Sequence, residues 1–154
     1  MATVLEYLIS TLEEEVNIYK EMAVIGNEKK MVIAKKDMEM LKKMNVVENS
    51  LVNKLKKLDT KRDEAFQDIK MLLNIKSDVT LLYLEENLKD RKDREKIKAL
   101  RSSIIQVSNE LKRANEVNTS LLNNSLEFVE FNLNMVRHAR SVDPGTYTKK
   151  DLGR

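Results

Sequence analysis

Residues 41–72 carry an apolar side chain at almost every third or fourth position. The series is Leu41, Met44, Glu48, Leu51, Leu55, Leu58, Arg62, Ala65, Ile69 and Leu72. Spacing that alternates between three and four residues puts side chains on one face of an α-helix, and such a face packs along a second helix. The sequence therefore predicts a long, coiled-coil-like helix in this segment, with Asp37 as its N-cap.

The two charged members of this series, Glu48 and Arg62, leave two interpretations open. In the simpler interpretation, which we prefer, both lie at the edge of the stripe and face solvent, as charged residues usually do. In the alternative, they fix the register of a helix pair, as polar residues at core positions of coiled coils can.

The same spacing recurs in two further segments. One contains Leu5, Leu8, Leu12, Tyr19 and Met22, and the other contains Ile97, Leu100, Ile104, Val107, Leu111 and Ala114. With three Gly and one Pro in 154 residues, the chain has few of the residues that turns and sheets require. We predict an all-α fold, an elongated antiparallel bundle of three long helices, the last of which runs from about Asp90 to Arg140.

Two shorter segments complete the prediction. Residues 78–88 predict a short insert helix, for which Ser77 or Asp78 can serve as the N-cap. The residues after Arg140, "SVDPGTYTKKDLGR", contain Pro144 and Gly145 and read as a flexible tail. We therefore expect a single helical bundle domain at 1–140 and a flexible C-terminal tail at 141–154.

Composition argues against several functional classes. The net charge of +3 comes from mixed signs, so no basic block marks a nucleic-acid-binding surface. The absence of cysteine excludes disulfides and thiolate chemistry and fits a reducing cytoplasm. No segment reaches the roughly 20 apolar residues of a membrane span, and the N-terminus lacks the basic start of a signal peptide. A single histidine, His138, and no glycine-rich phosphate loop leave no catalytic, metal or cofactor site to assign, so we expect no enzyme.

One part of the last predicted helix differs in character from the rest of the chain. In residues 115–136, "NEVNTSLLNNSLEFVEFNLNMV", the polar positions are mostly Asn and Ser, and the apolar side chains form two adjacent stripes. A helix with so broad an apolar face needs a partner. The residues alone leave open whether that partner is an exchangeable protein, the chain's own bundle or a second copy in a homodimer.

Three stretches resemble the FlgN-type flagellar export chaperones. The first is "EKKMVIAKKDMEMLKKMNVVENSLVNKLKKLDTKRDE", which is similar to the second helix of that family. The second is "NEVNTSLLNNSLEF", which looks like the family's Asn-x-x-Asn-x-x-Leu-Leu run. The third is "GTYTKKDLG", which is similar to the Thr-Tyr and Gly pattern that closes many members. The three stretches occur in the family's order and cover most of the chain.

This resemblance implies a function and a set of functional residues. The family binds the C-terminal helical segments of the hook–filament junction proteins, FlgK and FlgL, and delivers them to the export gate protein FlhA. The implied client-binding residues are Asn115, Asn118, Leu121, Leu122, Leu126, Phe128, Val129, Phe131, Leu133 and Val136. Tyr147 is the implied contact with the export gate. The alternative is a structural coiled-coil adaptor or oligomerisation protein with no exchangeable client.

Overall fold

The structure, a computed structural model, describes the backbone of residues 2–139 and the side chains of residues 3–124. Its elements are α1 (Ala2–Ala34), α2 (Met38–Leu72), α3 (Leu81–Asn87) and α4 (Arg91–Ala139), and this part of the chain contains no β-strand. The predicted all-α fold, with three long helices and one short insert helix, is confirmed. The predicted tail at 141–154 lies outside the described residues.

The ends of the helices follow from local capping. The predicted N-cap of α2 is correct, because the side chain of Asp37 accepts a hydrogen bond from the Met40 amide at 3.1 Å. The predicted cap of α3 is wrong. The cap is Thr80, whose hydroxyl accepts from the Tyr83 amide at 3.1 Å, in place of Ser77 or Asp78. After α2 ends at Leu72, Asn74 adopts a left-handed backbone conformation with a φ of 52°. The residues between α2 and α3 let the chain turn back before α3 begins.

α1 lies between the other two long helices. Two ion pairs, Glu15 with Arg62 and Lys29 with Glu48, show that α1 and α2 run antiparallel. α4 returns in the opposite direction to α2 and therefore runs parallel to α1. α1 packs against both α2 and α4, whereas no described Cα atom of α2 lies within 8 Å of one in α4. α1 is thus the central helix of the bundle.

The largest group of buried side chains is at the end of the bundle where α1 and α4 begin. It consists of Leu5, Leu8, Ile9, Leu12, Ala65, Ile69, Val79, Leu84, Leu88 and Ile97. α3 closes this end by burying Leu84, which is 1% exposed. Because burial of one such side chain contributes about 1.5–3 kcal/mol, this end holds most of the apolar stabilisation.

The preferred interpretation of Glu48 and Arg62 as solvent-facing residues is wrong. Arg62 Nη1 lies 2.9 Å from Oε2 of Glu15, whose side chain is fully buried. Glu48 Oε1 lies 3.0 Å from Lys29 Nζ. Each charged position of the α2 series therefore contacts an opposite charge on α1. A slip of α2 along α1 would separate both pairs, so both pairs favour the observed register of the hairpin.

Gly26 allows a close approach between α1 and α4. A Cβ atom added at Gly26 would lie 3.1 Å from the Cβ of Ala114. At the same level, Asn118 Nδ2 donates a hydrogen bond of 2.7 Å to the carbonyl oxygen of Gly26. A glycine that would be unfavourable in an isolated helix is therefore accommodated because its lack of a side chain lets α4 pack closely.

Replacement of Gly26 with valine is expected to destabilise the bundle by about 1–3 kcal/mol, because the added methyl groups push α1 away from Ala114. Urea denaturation followed by circular dichroism measures the loss. Asn27→Val is the matched control, since Asn27 is the next residue of α1 and is exposed. Equal stability of the two variants would show that the helices do not depend on this approach.

Candidate protein-binding face of the last helix

α4 extends past the end of the α1–α2 hairpin. Asn118 lies beside Gly26, and from that level 8 residues of α1 remain but 21 residues of α4 remain. At ~1.5 Å per residue, the difference is roughly 20 Å of helix. α2 begins at this same end, at Met38. The last three or so turns of α4 therefore have no residue of α1 or α2 at their level along the bundle.

One side of α4 carries an open, shallow groove of about 650 Å³. The residues that line it are Ser108, Leu111, Lys112, Asn115, Glu116, Thr119 and Ser120. Five of the residues on this side alternate at spacings of four and three: Ser108, Lys112, Asn115, Thr119 and Leu122. The same spacing continues in the sequence through Leu126, Val129, Leu133 and Val136. We call the first five residues the open face, and the four that follow in the sequence its predicted continuation.

A second set of α4 residues packs towards α1. Ala114 and Asn118 contact Gly26, Val107 is buried, and Leu121 is half-buried at the next position of the same heptad pattern. We call these four residues the seam. Asn118 is 4% exposed, and its Oδ1 atom has no hydrogen-bond partner among the residues that the structure describes. The side-chain amide of Asn118 therefore donates one hydrogen bond to α1, and its oxygen accepts none from the described residues.

The structure divides the predicted client-binding residues between these two surfaces. Asn115 is exposed on the open face, and Leu122, also on that face, is 37% exposed. Asn118 and Leu121 belong to the seam and are buried or half-buried in this conformation. The remaining six have side chains outside the described residues, although their backbone is part of α4: Leu126, Phe128, Val129, Phe131, Leu133 and Val136. Tyr147 lies wholly outside them.

Sequence reasoning predicted Asn115 but not three other polar residues of the open face, Ser108, Lys112 and Thr119. Extending the spacing of Leu122 and Leu126 backwards along the helix finds all three.

The open face suits contact with another helix. Only Lys112 and Glu116 among the seven groove residues are charged, so few charges would lose their hydration when a partner covers it. Ser, Thr and Asn side chains in the groove can donate and accept hydrogen bonds at the edge of an apolar contact. No group of three or more His, Asp or Glu side chains suited to a metal ion occurs among the side chains that the structure describes.

A bundle that exposes a long, low-charge helical face has the architecture of an α-helical protein-binding module. The family model described as FlgN, FlgN protein, matches residues 1–151. The chain therefore belongs to the FlgN family of flagellar export chaperones, as the sequence resemblance predicted. No curated protein and no solved structure matches the chain. In the described part of the chain, no helix is long and apolar enough to span a membrane.

Proposed function

We propose that this chaperone binds the C-terminal helical segments of hook–filament junction proteins of the FlgK and FlgL type. In this proposal it keeps them soluble in the cytoplasm and delivers them to the export gate protein FlhA. The observation that carries the proposal is the open face of α4, a helix whose backbone continues about 20 Å past the hairpin. Membership of the FlgN family supports a role in flagellar export.

The spacing on the open face matches the contacts of an amphipathic client helix. Residues at alternating intervals of three and four lie in a row along α4, and a partner helix places its own apolar row against them. Leu122 is the first apolar residue of the row and is partly exposed. Burial of each such side chain contributes roughly 1.5–3 kcal/mol, so a few contacts suffice for micromolar affinity.

The seam gives the client a second surface. Gly26 and the rest of α1 cover the seam as far as the end of α1 at Ala34. The heptad pattern of the seam continues in the sequence at Ser125, near the level at which α1 ends, and then at Phe128, Asn132 and Met135, past that level. In this proposal the client helix follows the path of α1 and contacts these positions. Asn118 and Leu121 then fix the position of α4 next to the client and contribute to client binding only indirectly.

Isothermal titration calorimetry tests the proposal with the full chain and a synthetic peptide of a FlgK-type C-terminal segment. The expected result is binding at micromolar or tighter dissociation constants, with a gain in helicity of the mixture. A peptide of the same composition in scrambled order is the control. Equal binding of both peptides, or binding of neither, would overturn the proposed client class. A tight dimer that persists in the Tyr147→Ala chain and that the peptide does not dissociate would favour the structural adaptor instead.

The proposed gate contact, Tyr147, gives a separate prediction. Tyr147→Ala is expected to leave client affinity within about threefold of the unchanged chain, which is below ~0.7 kcal/mol. Binding of the loaded chaperone to the cytoplasmic part of FlhA is expected to fall sharply, because an aromatic side chain is a typical anchor for a short segment. Both affinities are measured on the same preparations. Unchanged gate binding would remove Tyr147 from the proposal.

A further inference from the structure

A cavity of about 450 Å³ lies at the end of the bundle opposite the projecting part of α4. Its walls include Leu5 of α1, Leu73 just after α2, and Tyr83 and Leu88 from the α3 region. Five of the nine lining residues are apolar or aromatic, and the volume exceeds that of an aromatic side chain. This cavity shares no residue with the open face or the seam, so the proposed function does not use it.

The mouth of the cavity combines exposed apolar surface with negative charge. Leu73 is 45% exposed, and its neighbour Leu72 is 56% exposed. Asp90 and Asp93 line the mouth together with one lysine, Lys89, so the carboxylates are in excess. A ligand with an apolar body and an adjacent positive charge would complement both features.

We propose that this cavity receives Tyr147 from the C-terminal tail of a second copy of the chain. Tyr147 is the one aromatic residue after Phe131, and Lys149 and Lys150 follow it closely. The ring of a tyrosine fits an apolar cavity while its hydroxyl group stays at the wet mouth. The two lysines then lie near Asp90 and Asp93. The inference goes beyond the proposed function and does not rest on it.

The length of the chain excludes the same interaction within one copy. From Arg91 to Ala139, α4 contains 49 residues, which at ~1.5 Å per residue separates its ends by roughly 70 Å. The 8 residues from Ala139 to Tyr147 reach at most about 29 Å at ~3.6 Å per residue. Tyr147 therefore cannot reach the cavity of its own chain.

An antiparallel arrangement of two copies brings the tail of one copy within reach of the cavity of the other. In such a pair, the projecting end of α4 in one copy lies near the cavity of the other. Two-fold symmetry then lets two tails fill two cavities, which closes the assembly at a dimer. Since the same tyrosine is the proposed gate contact, the resting dimer would withhold it from the gate.

Site-specific cross-linking of the full chain tests this arrangement, because the natural sequence contains no cysteine. One copy carries Lys89→Cys at the cavity mouth, and the other carries Thr146→Cys, which keeps Tyr147 intact. Mild oxidation of the mixture is expected to give a covalent dimer, because a disulfide forms when the two Cα atoms approach to about 4.4–6.8 Å. The matched control is Glu86→Cys mixed with the same Thr146→Cys copy, since Glu86 is exposed on α3 but does not line the cavity.

We expect at least about tenfold more covalent dimer with Lys89→Cys than with the control. Adding Tyr147→Ala to the Thr146→Cys copy is expected to remove that excess. Asp93→Lys is expected to weaken the cross-link, and Lys149→Glu with Lys150→Glu in the tail copy is expected to restore it. Equal cross-linking at Lys89 and Glu86, or an excess that survives Tyr147→Ala, would overturn the proposal. A cross-link within one chain that carries both cysteines would overturn the argument from distance.

Discussion

Replacement of Leu122, Leu126 and Val129 with alanine is expected to abolish client binding with little change in the melting temperature. Leu122 lies on the open face and is 37% exposed in the free chain, and Leu126 and Val129 continue its spacing in the sequence. If each truncation removes about 1.5 kcal/mol of apolar contact, the dissociation constant rises by more than about a thousandfold. Calorimetry with the FlgK-type peptide measures the change. Phe128 is left intact because it follows the seam pattern.

The matched control replaces three other exposed apolar residues, Val24, Val46 and Met71, with alanine. Their exposed fractions are 56%, 69% and 78%, and they lie on α1 and α2, away from the open face. This variant is expected to bind the peptide as the unchanged chain does. If the open-face variant instead loses helicity or melts much earlier than the control, the three residues form part of the bundle core. That result would contradict the assignment of a free binding surface.

The helices could be predicted from the sequence because their apolar patterns are long and nearly unbroken. The series from Leu41 to Leu72 coincides with α2 to within a few residues, and the side chain of Asp37 caps it as predicted. Such patterns depend only on which side of a helix is buried. The cap of α3 was predicted wrongly because it depends on how many residues the chain needs to turn, which the pattern does not encode.

The partners of the charged residues could not be predicted from the same patterns. Glu15 is the last of three consecutive glutamates, and the sequence gives no direct sign that it alone is fully buried. In retrospect, Glu15 falls between Leu12 and Tyr19 at a position of the α1 stripe, so the pattern contained a weak signal. The structure shows in addition that Arg62 of α2 lies beside Glu15 of α1.

The candidate site shows the same limit. Asn115 and Asn118 are three residues apart and chemically identical, yet Asn115 is exposed and Asn118 is 4% exposed. Their difference arises from the position of Gly26 on α1, more than 90 residues away in the sequence. The sequence could identify the charge-poor segment, but the location of α1 decides which of its residues are exposed.

The free energy of unfolding is expected to depend on pH through the ion pair between Glu15 and Arg62. The burial of Glu15 determines the sign of this dependence. Burial raises the pKa of Glu15 from its usual 4.5 to about 6, although the Arg62 guanidinium opposes this shift. The folded chain therefore favours the protonated carboxyl. The stability that this proton contributes is fully present below about pH 4.5 and is lost as the pH rises through about 6.

Arg62→Met is expected to destabilise the chain by about 2–3 kcal/mol at neutral pH, because it leaves the carboxylate of Glu15 buried without its partner. Arg62 keeps 27% of its side chain exposed, which places the loss at the low end for buried pairs. Near pH 5, Glu15 takes up a proton, so the loss is expected to shrink to about 1 kcal/mol or less. Urea denaturation at the two pH values measures both losses.

Glu15→Gln distinguishes this electrostatic cause from a loss of packing by Arg62. Glutamine has nearly the shape of a protonated glutamate, so the Glu15→Gln chain has no charge to bury at either pH. In that background, Arg62→Met is expected to cost less than about 1 kcal/mol and to cost the same at both pH values. An equal loss in both backgrounds would mean that Arg62 stabilises the hairpin through its hydrocarbon chain or through its second ion pair, with Asp59 at 3.3 Å. A pH-dependent loss that occurs only in the chain with Glu15 would show that Arg62 stabilises the fold by compensating the carboxylate of Glu15, which is buried at the contact between α1 and α2.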